Sequence, residues 1–227
     1  LLMKKILVVL FVITWVGVAA AWFVYDFAKK GLPQIITVND YSPLLVSNVY
    51  AKNGEKIGEY FRERRVLTPY KNMPPLLVRA FVAAEDDQFF NHHGINFQSI
   101  FRAFMANVKA GKTVQGGSTI TQQVAKTLLL TPEKTLLRKV REALLATEME
   151  RHLSKEDIMY LYLNQIYFGQ GAYGVGMASE IYFRKKVEKL TLAEMAMLAG
   201  LPQAPSRYSP LKKKKKAKDR QLYVLQR

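Results

Sequence analysis

The stretch from Ile6 to Val24 contains 19 residues and no charged side chain, which is typical of a membrane-spanning helix. As a helix it would span roughly 28 Å, close to the thickness of the hydrocarbon core of a bilayer. Trp22 lies near the far end of the run, where aromatic residues often mark the membrane interface. Lys4 and Lys5 precede the run, and this charge bias favours a cytoplasmic N-terminus.

A cleaved signal peptide is the alternative interpretation, because Ala19–Ala21 are small residues of the kind that precede cleavage sites. The apolar run continues beyond them, which favours an uncleaved anchor. We therefore expect residues 1–5 in the cytoplasm and residues 6–24 as a single transmembrane span in the cytoplasmic (inner) membrane. The domain that follows is then expected on the outer, periplasmic side.

The excess of positive charge indicates which kinds of molecule the protein binds. Lys and Arg number 34 against 18 Asp and Glu, a formal net charge of +16. Such an excess favours nucleic acid, an anionic membrane or a phosphate-bearing substrate, and export of the domain argues against nucleic acid. The sequence has no cysteine, so it can form neither a disulfide nor a thiolate metal site. Its three histidines lack the spacing of a zinc site, and we predict no metal ligands.

Beyond the span, we expect a linker over residues 25–48 and one domain over residues 49–227. Asn53-Gly54 lies between two extended segments, and this dipeptide is typical of a type I′ turn. The pattern predicts a small hairpin over residues 49–61.

Helical spacing and capping residues predict that the rest of the domain is mainly α-helical. Pro75 is favoured in a first helical turn, so a helix is expected from there to Ala84. Three N-cap patterns predict further helix starts, at Thr131 before Pro132, at Ser154 with Asp157, and at Thr191 with Glu194.

One predicted helix has an unusually aromatic face. Phe97, Ile100, Phe101 and Phe104 recur at helical spacing. Two interpretations stay open for this face: it packs in the core, or it dips into the membrane.

Residues 85–94, Glu-Asp-Asp-Gln-Phe-Phe-Asn-His-His-Gly, follow an apolar helix. Glu85 should therefore enter a partly buried cleft. Burial and the neighbouring charge of Asp86 both raise a carboxyl pKa, and a Glu tuned in this way is a competent general base. For an isolated Glu-Asp pair, an inert and solvated helix end would be the alternative.

A second polar segment, Gly-Gly-Ser-Thr-Ile-Thr-Gln-Gln, covers residues 116–123. Its hydroxyls and amides suit sugar hydroxyls and phosphate oxygens, although alone it could be a turn and helix cap. A cationic set follows on helical sequence, and such charges would stabilise a diphosphate leaving group. Arg138 and Glu142 are four residues apart and so share a helix face, where an ordinary surface ion pair is the alternative.

Five segments in order resemble the signature motifs of the peptidoglycan glycosyltransferases, glycosyltransferase family 51, the polymerising domain of class A penicillin-binding proteins. They cover residues 85–94, 117–123, 138–142 (Arg-Lys-Val-Arg-Glu), 162–174 and 192–205. The resemblance extends over residues 49–227. Residues 49–65 are similar to the segment that precedes this domain in bifunctional members, so we expect an N-terminal fragment of such a protein, with its membrane anchor.

The resemblance implies a mainly α, lysozyme-like glycosyltransferase domain acting on lipid II and the growing glycan strand at a phospholipid bilayer. It implies Glu85 as the base of an inverting transfer that forms β-1,4 links and releases undecaprenyl pyrophosphate, with Glu142 as a second catalytic residue. It also implies inhibition by phosphoglycolipids such as moenomycin, and it leaves a divalent cation, Mg or Mn, open as a cofactor. The substrate-binding residues that it implies are Asp86, Phe89, His92, Ser118, Thr121, Gln122, Gln123, Lys126, Lys134, Arg138 and Lys139.

Two other functions stay open at this point. A peptidoglycan hydrolase or lytic transglycosylase can share a lysozyme-like fold and a catalytic Glu, but it has no diphosphate to bind, which leaves Lys126, Arg138 and Glu142 unexplained. The second is a non-enzymatic, membrane-anchored basic module that binds cell-wall polymer.

Overall fold

The computed structural model describes residues 2–133 and 135–227, and over these residues the chain is mainly helical, as predicted. The strands are β1 (Ser47–Tyr50), β2 (Lys56–Tyr60), β3 (Arg64–Arg65), β4 (Tyr167–Gly169) and β5 (Ala172–Tyr173). The helices are α1 (Leu2–Lys29), α2 (Pro75–Glu85), α3 (Phe97–Ala110), α4 (Ile120–Leu129), α5 (Leu136–His152), α6 (Lys155–Gln165), α7 (Gly174–Phe183), α8 (Leu192–Gly200), α9 (Pro205–Tyr208) and α10 (Lys214–Gln226).

Helix α1 is the one helix of the described chain that is long and apolar enough to cross a membrane, judged by length and composition. It continues to Lys29, so the first five residues of the predicted linker are helical. Its last turn packs on α5, where Ala28 is fully buried. There the Arg141 guanidinium donates to the carbonyl oxygens of Ala28 (3.3 Å) and Lys30 (3.5 Å). A cation at a helix C-terminus compensates its free carbonyl groups.

Strands β1 and β2 form the predicted antiparallel hairpin, but the predicted type I′ turn is wrong. The Gly54 amide donates to the Ala51 carbonyl at 2.9 Å, and the Ala51 amide donates to the Glu55 carbonyl at 2.7 Å. Gly54 has a φ of +83°, whereas Asn53 does not have the positive φ that a type I′ turn requires. The loop is thus longer, with glycine taking the left-handed position that follows the turn.

The core surrounds α6, which is buried on most of its faces and contacts α4 and α7. Helix α2 packs on α8, and α8 packs on α10. The glycine-rich segment at the start of α7 packs closely against its neighbours. A Cβ at Gly174, where φ is +76°, would lie 2.7 Å from the Asn164 carbonyl oxygen, and one at Gly176 would lie 2.6 Å from Thr68 Oγ1.

Capping boxes at Ser154 and Thr191 begin α6 and α8, as predicted. The predicted N-cap at Thr131 is wrong. Helix α5 begins at Leu136, because Thr135 takes the extended conformation of an N-cap and its side chain accepts from the Arg138 amide at 3.1 Å.

The aromatic face of α3 is exposed, so the interpretation as core packing is wrong. Phe97, Phe101 and Phe104 are 76%, 67% and 61% exposed. Within the described part of the chain, this face has no covering element. Helix α3 lies beside the second polar segment, because a Cβ at Gly117 would lie 2.9 Å from the Ile100 Cα.

Candidate active site

A cleft of ≈ 320 Å3 lies where the end of α2 meets the start of α4, the loop before it, and α10. Its lining is rich in charged and amide side chains. The polar residues that line it include Glu85, Asp86, Asp87, Arg102, Ser118, Gln123, Lys126, Gln203, Arg220 and Arg227.

Glu85 is the last residue of α2 and reaches this cleft while partly buried. Its Oε2 accepts a hydrogen bond from Gln123 Nε2 at 3.0 Å, and its buried Oε1 has no hydrogen-bond partner among the described residues. Burial raises the pKa of this carboxyl and outweighs the lowering by Gln123 and by the charges of Arg220 and Lys126. The charge of Asp86 adds a smaller rise. The predicted rise in the pKa of Glu85 is confirmed, as are its two predicted causes, burial and the charge of Asp86.

Asp86 borders the cleft, but its carboxylate is bonded within the protein. Its side chain is nearly fully buried, and its Oδ2 accepts from His92 Nε2 at 2.8 Å and from the Ile120 amide at 3.0 Å. Ile120 is the first residue of α4, and a carboxylate at a helix N-terminus satisfies a free amide and opposes the helix dipole. Two adjacent carboxylates therefore serve different purposes, one facing the cleft and one holding α4.

The second polar segment forms the start of α4. Thr119 is the N-cap in a capping box with Gln122, and its hydroxyl donates to the Gly94 carbonyl at 2.7 Å. Gly94 has a φ of +90°, and a Cβ there would lie 2.6 Å from the Ala146 carbonyl oxygen. The first motif is thus fitted tightly against both α4 and α5.

The structure brings only part of the implied substrate-binding set to the cleft. Asp86, Ser118, Gln123 and Lys126 line it. Four others do not line it: Phe89, Thr121 and Gln122 are buried, and His92 is almost so. Lys134 lies outside the described residues.

Arg138 and Lys139 are held by Glu142, whose side chain is almost fully buried. Arg138 pairs with one carboxylate oxygen, and Lys139 Nζ donates to the other at 2.6 Å and to Ser118 Oγ at 2.7 Å. Desolvation and the charge of Arg138 lower the pKa of Lys126, and desolvation and the charges of Lys126 and Arg138 lower that of Lys139. The three cations therefore share one region beside the cleft, while Glu142 itself lies behind them.

Both carboxylate oxygens of Glu142 accept from cationic groups. No group of three or more His, Asp or Glu side chains suited to a metal occurs in residues 2–133 and 135–227.

Helix α10 supplies cleft residues that sequence reasoning missed. Arg220 stands over the Tyr223 ring at 4.5 Å, and its guanidinium donates to the Ala84 carbonyl at 3.5 Å. Arg227 binds Asp87 at 2.8 Å. The spacing of these residues places them on one helix face, but only the packing of α10 on α8 and α2 shows what that face meets.

A family model described as "Transglycosylase" matches residues 53–227, and the chain belongs to this family. Penicillin-binding protein 1A of Escherichia coli K12 is 43% identical over 211 residues, which is 93% of this chain and 25% of that protein. Penicillin-binding protein 1A of Neisseria cinerea is 47% identical over 210 residues, 92% of this chain and 26% of that protein. The chain spans about a quarter of the length of these relatives. The crystal structure of penicillin-binding protein 1A from Haemophilus influenzae matches 81% of this chain and 18% of its own, with 25% identity and a TM-score of 0.42.

Proposed function

We propose that this domain is a peptidoglycan glycosyltransferase that polymerises lipid II into β-1,4-linked glycan strands. The observation that carries the proposal is Glu85, which lines a cleft that is also lined by cations, and whose buried Oε1 has no partner among the described residues. Membership of the transglycosylase family and the similarity to penicillin-binding protein 1A support it.

In the proposed reaction, Glu85 takes the proton from the 4-hydroxyl of the acceptor N-acetylglucosamine. That oxygen attacks the anomeric carbon of the growing strand with inversion, and the bond to undecaprenyl pyrophosphate breaks. Burial favours this role because it raises the pKa of Glu85, which makes the carboxylate a stronger base. General-base catalysis typically contributes ~10²–10⁴-fold.

The leaving diphosphate would be received by Lys126, with Arg138 and Lys139 beside it. Glu142 holds the latter two before substrate arrives, so little reorganisation is needed when negative charge develops. The single carboxylate of Glu142 offsets only one of the two cations, and Lys126 adds a further positive charge, so the region is positive. The same charges would bind the phosphate of phosphoglycolipid inhibitors such as moenomycin.

A bilayer is the second proposed partner. We place α1 as a single span with its N-terminus inside and the domain on the periplasmic face of the cytoplasmic membrane. The exposed aromatic face of α3 would enter the bilayer beside the cleft, because burying its rings in lipid removes apolar surface from water. Both contacts would keep the cleft close to lipid-linked substrate.

The test is incubation of the full chain in detergent with fluorescent lipid II, followed by gel separation of the products. A ladder of polymer that lysozyme digests supports the proposal. Shortening of preformed glycan without polymer would show a hydrolase or lytic enzyme, and binding without either change would show a non-enzymatic module.

A further inference from the structure

Beneath the floor of the cleft, a charged pair joins α5 to the start of α6, and the five motifs do not include it. We propose that Glu150 and Lys155 are positioning residues, which fix the first turn of α4 so that Gln123 meets Glu85. The proposal rests on the proposed function, since it assigns the pair a role in presenting the general base.

The pair is short and largely shielded from water. Lys155 Nζ donates to Glu150 Oε2 at 2.6 Å, and the two side chains are 22% and 3% exposed. The same ammonium donates to the His92 carbonyl at 2.7 Å and stands 4.5 Å from the centre of the Phe89 ring. Because removing one partner of a buried pair leaves an uncompensated charge, its geometry resists displacement. Lys155 therefore ties the first motif to α5 and α6.

The other carboxylate oxygen of Glu150 reaches α4 directly. Thr121, the second residue of α4, is fully buried and donates from Oγ1 to Glu150 Oε1 at 2.6 Å. Gln123 follows two residues later, and successive helical residues turn by about 100°. Thr121 and Gln123 therefore point to opposite sides of the helix, one towards Glu150 and the other towards Glu85. A shift of Glu150 would move the turn that carries Gln123.

A second route leads from Lys155 to the same turn through His92. The Gly94 amide donates to His92 Nδ1 at 3.2 Å, so Nδ1 is an acceptor and the ring proton lies on Nε2. Nε2 then donates to Asp86, which accepts from the Ile120 amide at the start of α4. Lys155 fixes the backbone of His92, and both routes end on the first turn of α4.

This arrangement has a measurable consequence for Glu85. The hydrogen bond from Gln123 lowers the pKa of Glu85 against the effect of burial, so loosening α4 should raise that pKa further. The other groups that act on Glu85 are Asp86, Lys126 and Arg220, and the buried Tyr162 hydroxyl is acted on by Glu85 and Asp86. Glu150→Gln replaces none of them, although Glu150 Oε1 also lies 3.8 Å from Nδ1 of His92, the partner of Asp86.

The test compares Glu150→Gln with the full chain, using Glu148→Gln as a matched control on the same helix. Glu148 is solvent-exposed and pairs with Arg151 at 3.0 Å. The pKa of Glu85 is followed by 13C NMR of labelled glutamate. We expect it to rise in Glu150→Gln and to stay at the value of the unchanged chain in Glu148→Gln. An unchanged pKa in Glu150→Gln overturns the inference, whether or not the chain polymerises lipid II.

Kinetics on lipid II then show whether the positioning matters for turnover. We expect kcat of Glu150→Gln to fall about 10- to 100-fold with little change in KM, since a small misplacement near reacting groups has effects of this size. The acid limb of the pH–rate profile of Glu150→Gln should move to higher pH, and Gln123→Ala should give the same shift. The double variant of Glu150 and Gln123 should show no further shift. A fall in kcat that tracks loss of folded protein, with an unmoved pH profile, would show a purely structural role.

Discussion

The side-chain amide of Gln123 donates a 3.0 Å hydrogen bond to one carboxylate oxygen of Glu85, and the other oxygen of that carboxylate has no partner within the described chain. An unsatisfied buried acceptor costs free energy, so the surrounding fold must hold this carboxylate in place. Glu85 lines the cleft, where a substrate hydroxyl would satisfy that oxygen. The hydrogen bond from Gln123 thus orients the base without occupying it.

Replacing Glu85 by Gln should abolish polymerisation while the fold survives. The amide keeps the shape of the side chain but cannot accept a proton, so turnover should fall by ~10²–10⁴-fold. Gel assays with fluorescent lipid II measure this, and Glu156→Gln, at an exposed position in the first turn of α6, is the control. Polymerisation by Glu85→Gln at the rate of the unchanged chain would remove Glu85 from the mechanism.

The same substitution should stabilise the domain at neutral pH. The folded-state pKa of Glu85 is raised above 4.5, mainly by burial, so the folded state holds this proton more tightly than the unfolded chain. Stability from this group is complete below its unfolded pKa and is lost as pH rises through the folded value. Thermal melting should therefore give Glu85→Gln a higher Tm than the unchanged chain at pH 7, with the difference shrinking below about pH 4. A lower Tm at pH 7 would contradict the raised pKa.

Local signals predicted much of this fold. The capping boxes at Ser154 and Thr191 and the helix start at Pro75 are short-range patterns, and the structure confirms each of them. One of these local predictions was wrong, since Thr135 and not Thr131 caps α5. The rise in the pKa of Glu85 was predictable because a carboxyl that follows an apolar helix becomes desolvated.

Other features of the site depend on contacts between residues that are far apart in the sequence, and these could not be predicted from it. Nothing in residues 214–227 indicates that Arg220 lies beside Glu85, because this follows from the packing of α10 on α8 and α2. The inward turn of Asp86 likewise depends on an amide 34 residues away, that of Ile120. Residues of one motif can therefore be split between the cleft and its support, and motif membership alone does not distinguish them.

The cations beside the cleft should govern binding of phosphoglycolipid inhibitors. Lys126→Ala and Arg138→Ala each remove a charge-assisted contact worth about 1.5–3 kcal/mol, so affinity should fall about 10- to 100-fold. Glu142→Gln should cut turnover, because Arg138 and Lys139 lose the carboxylate that holds them. Fluorescence anisotropy with a labelled inhibitor measures affinity, and Arg151→Ala, an exposed arginine on the same helix, is the control. Unchanged affinity in both alanine variants would place the diphosphate elsewhere.

Arg141 should matter only when the chain is in a membrane. Its guanidinium donates to the carbonyl oxygens of Ala28 and Lys30 at the end of α1, and so ties the proposed span to the helix that carries Glu142. A tether raises the effective concentration of the cleft at the bilayer only if its geometry lets the cleft reach the substrate. Arg141→Ala should therefore polymerise lipid II normally in detergent but more slowly in liposomes, with Arg151→Ala unaffected in both. Deleting residues 1–30 should likewise leave polymerisation in detergent normal and slow polymerisation in liposomes. Equal losses of Arg141→Ala in both settings would show that the contact supports the fold of α5 and not its placement at the membrane.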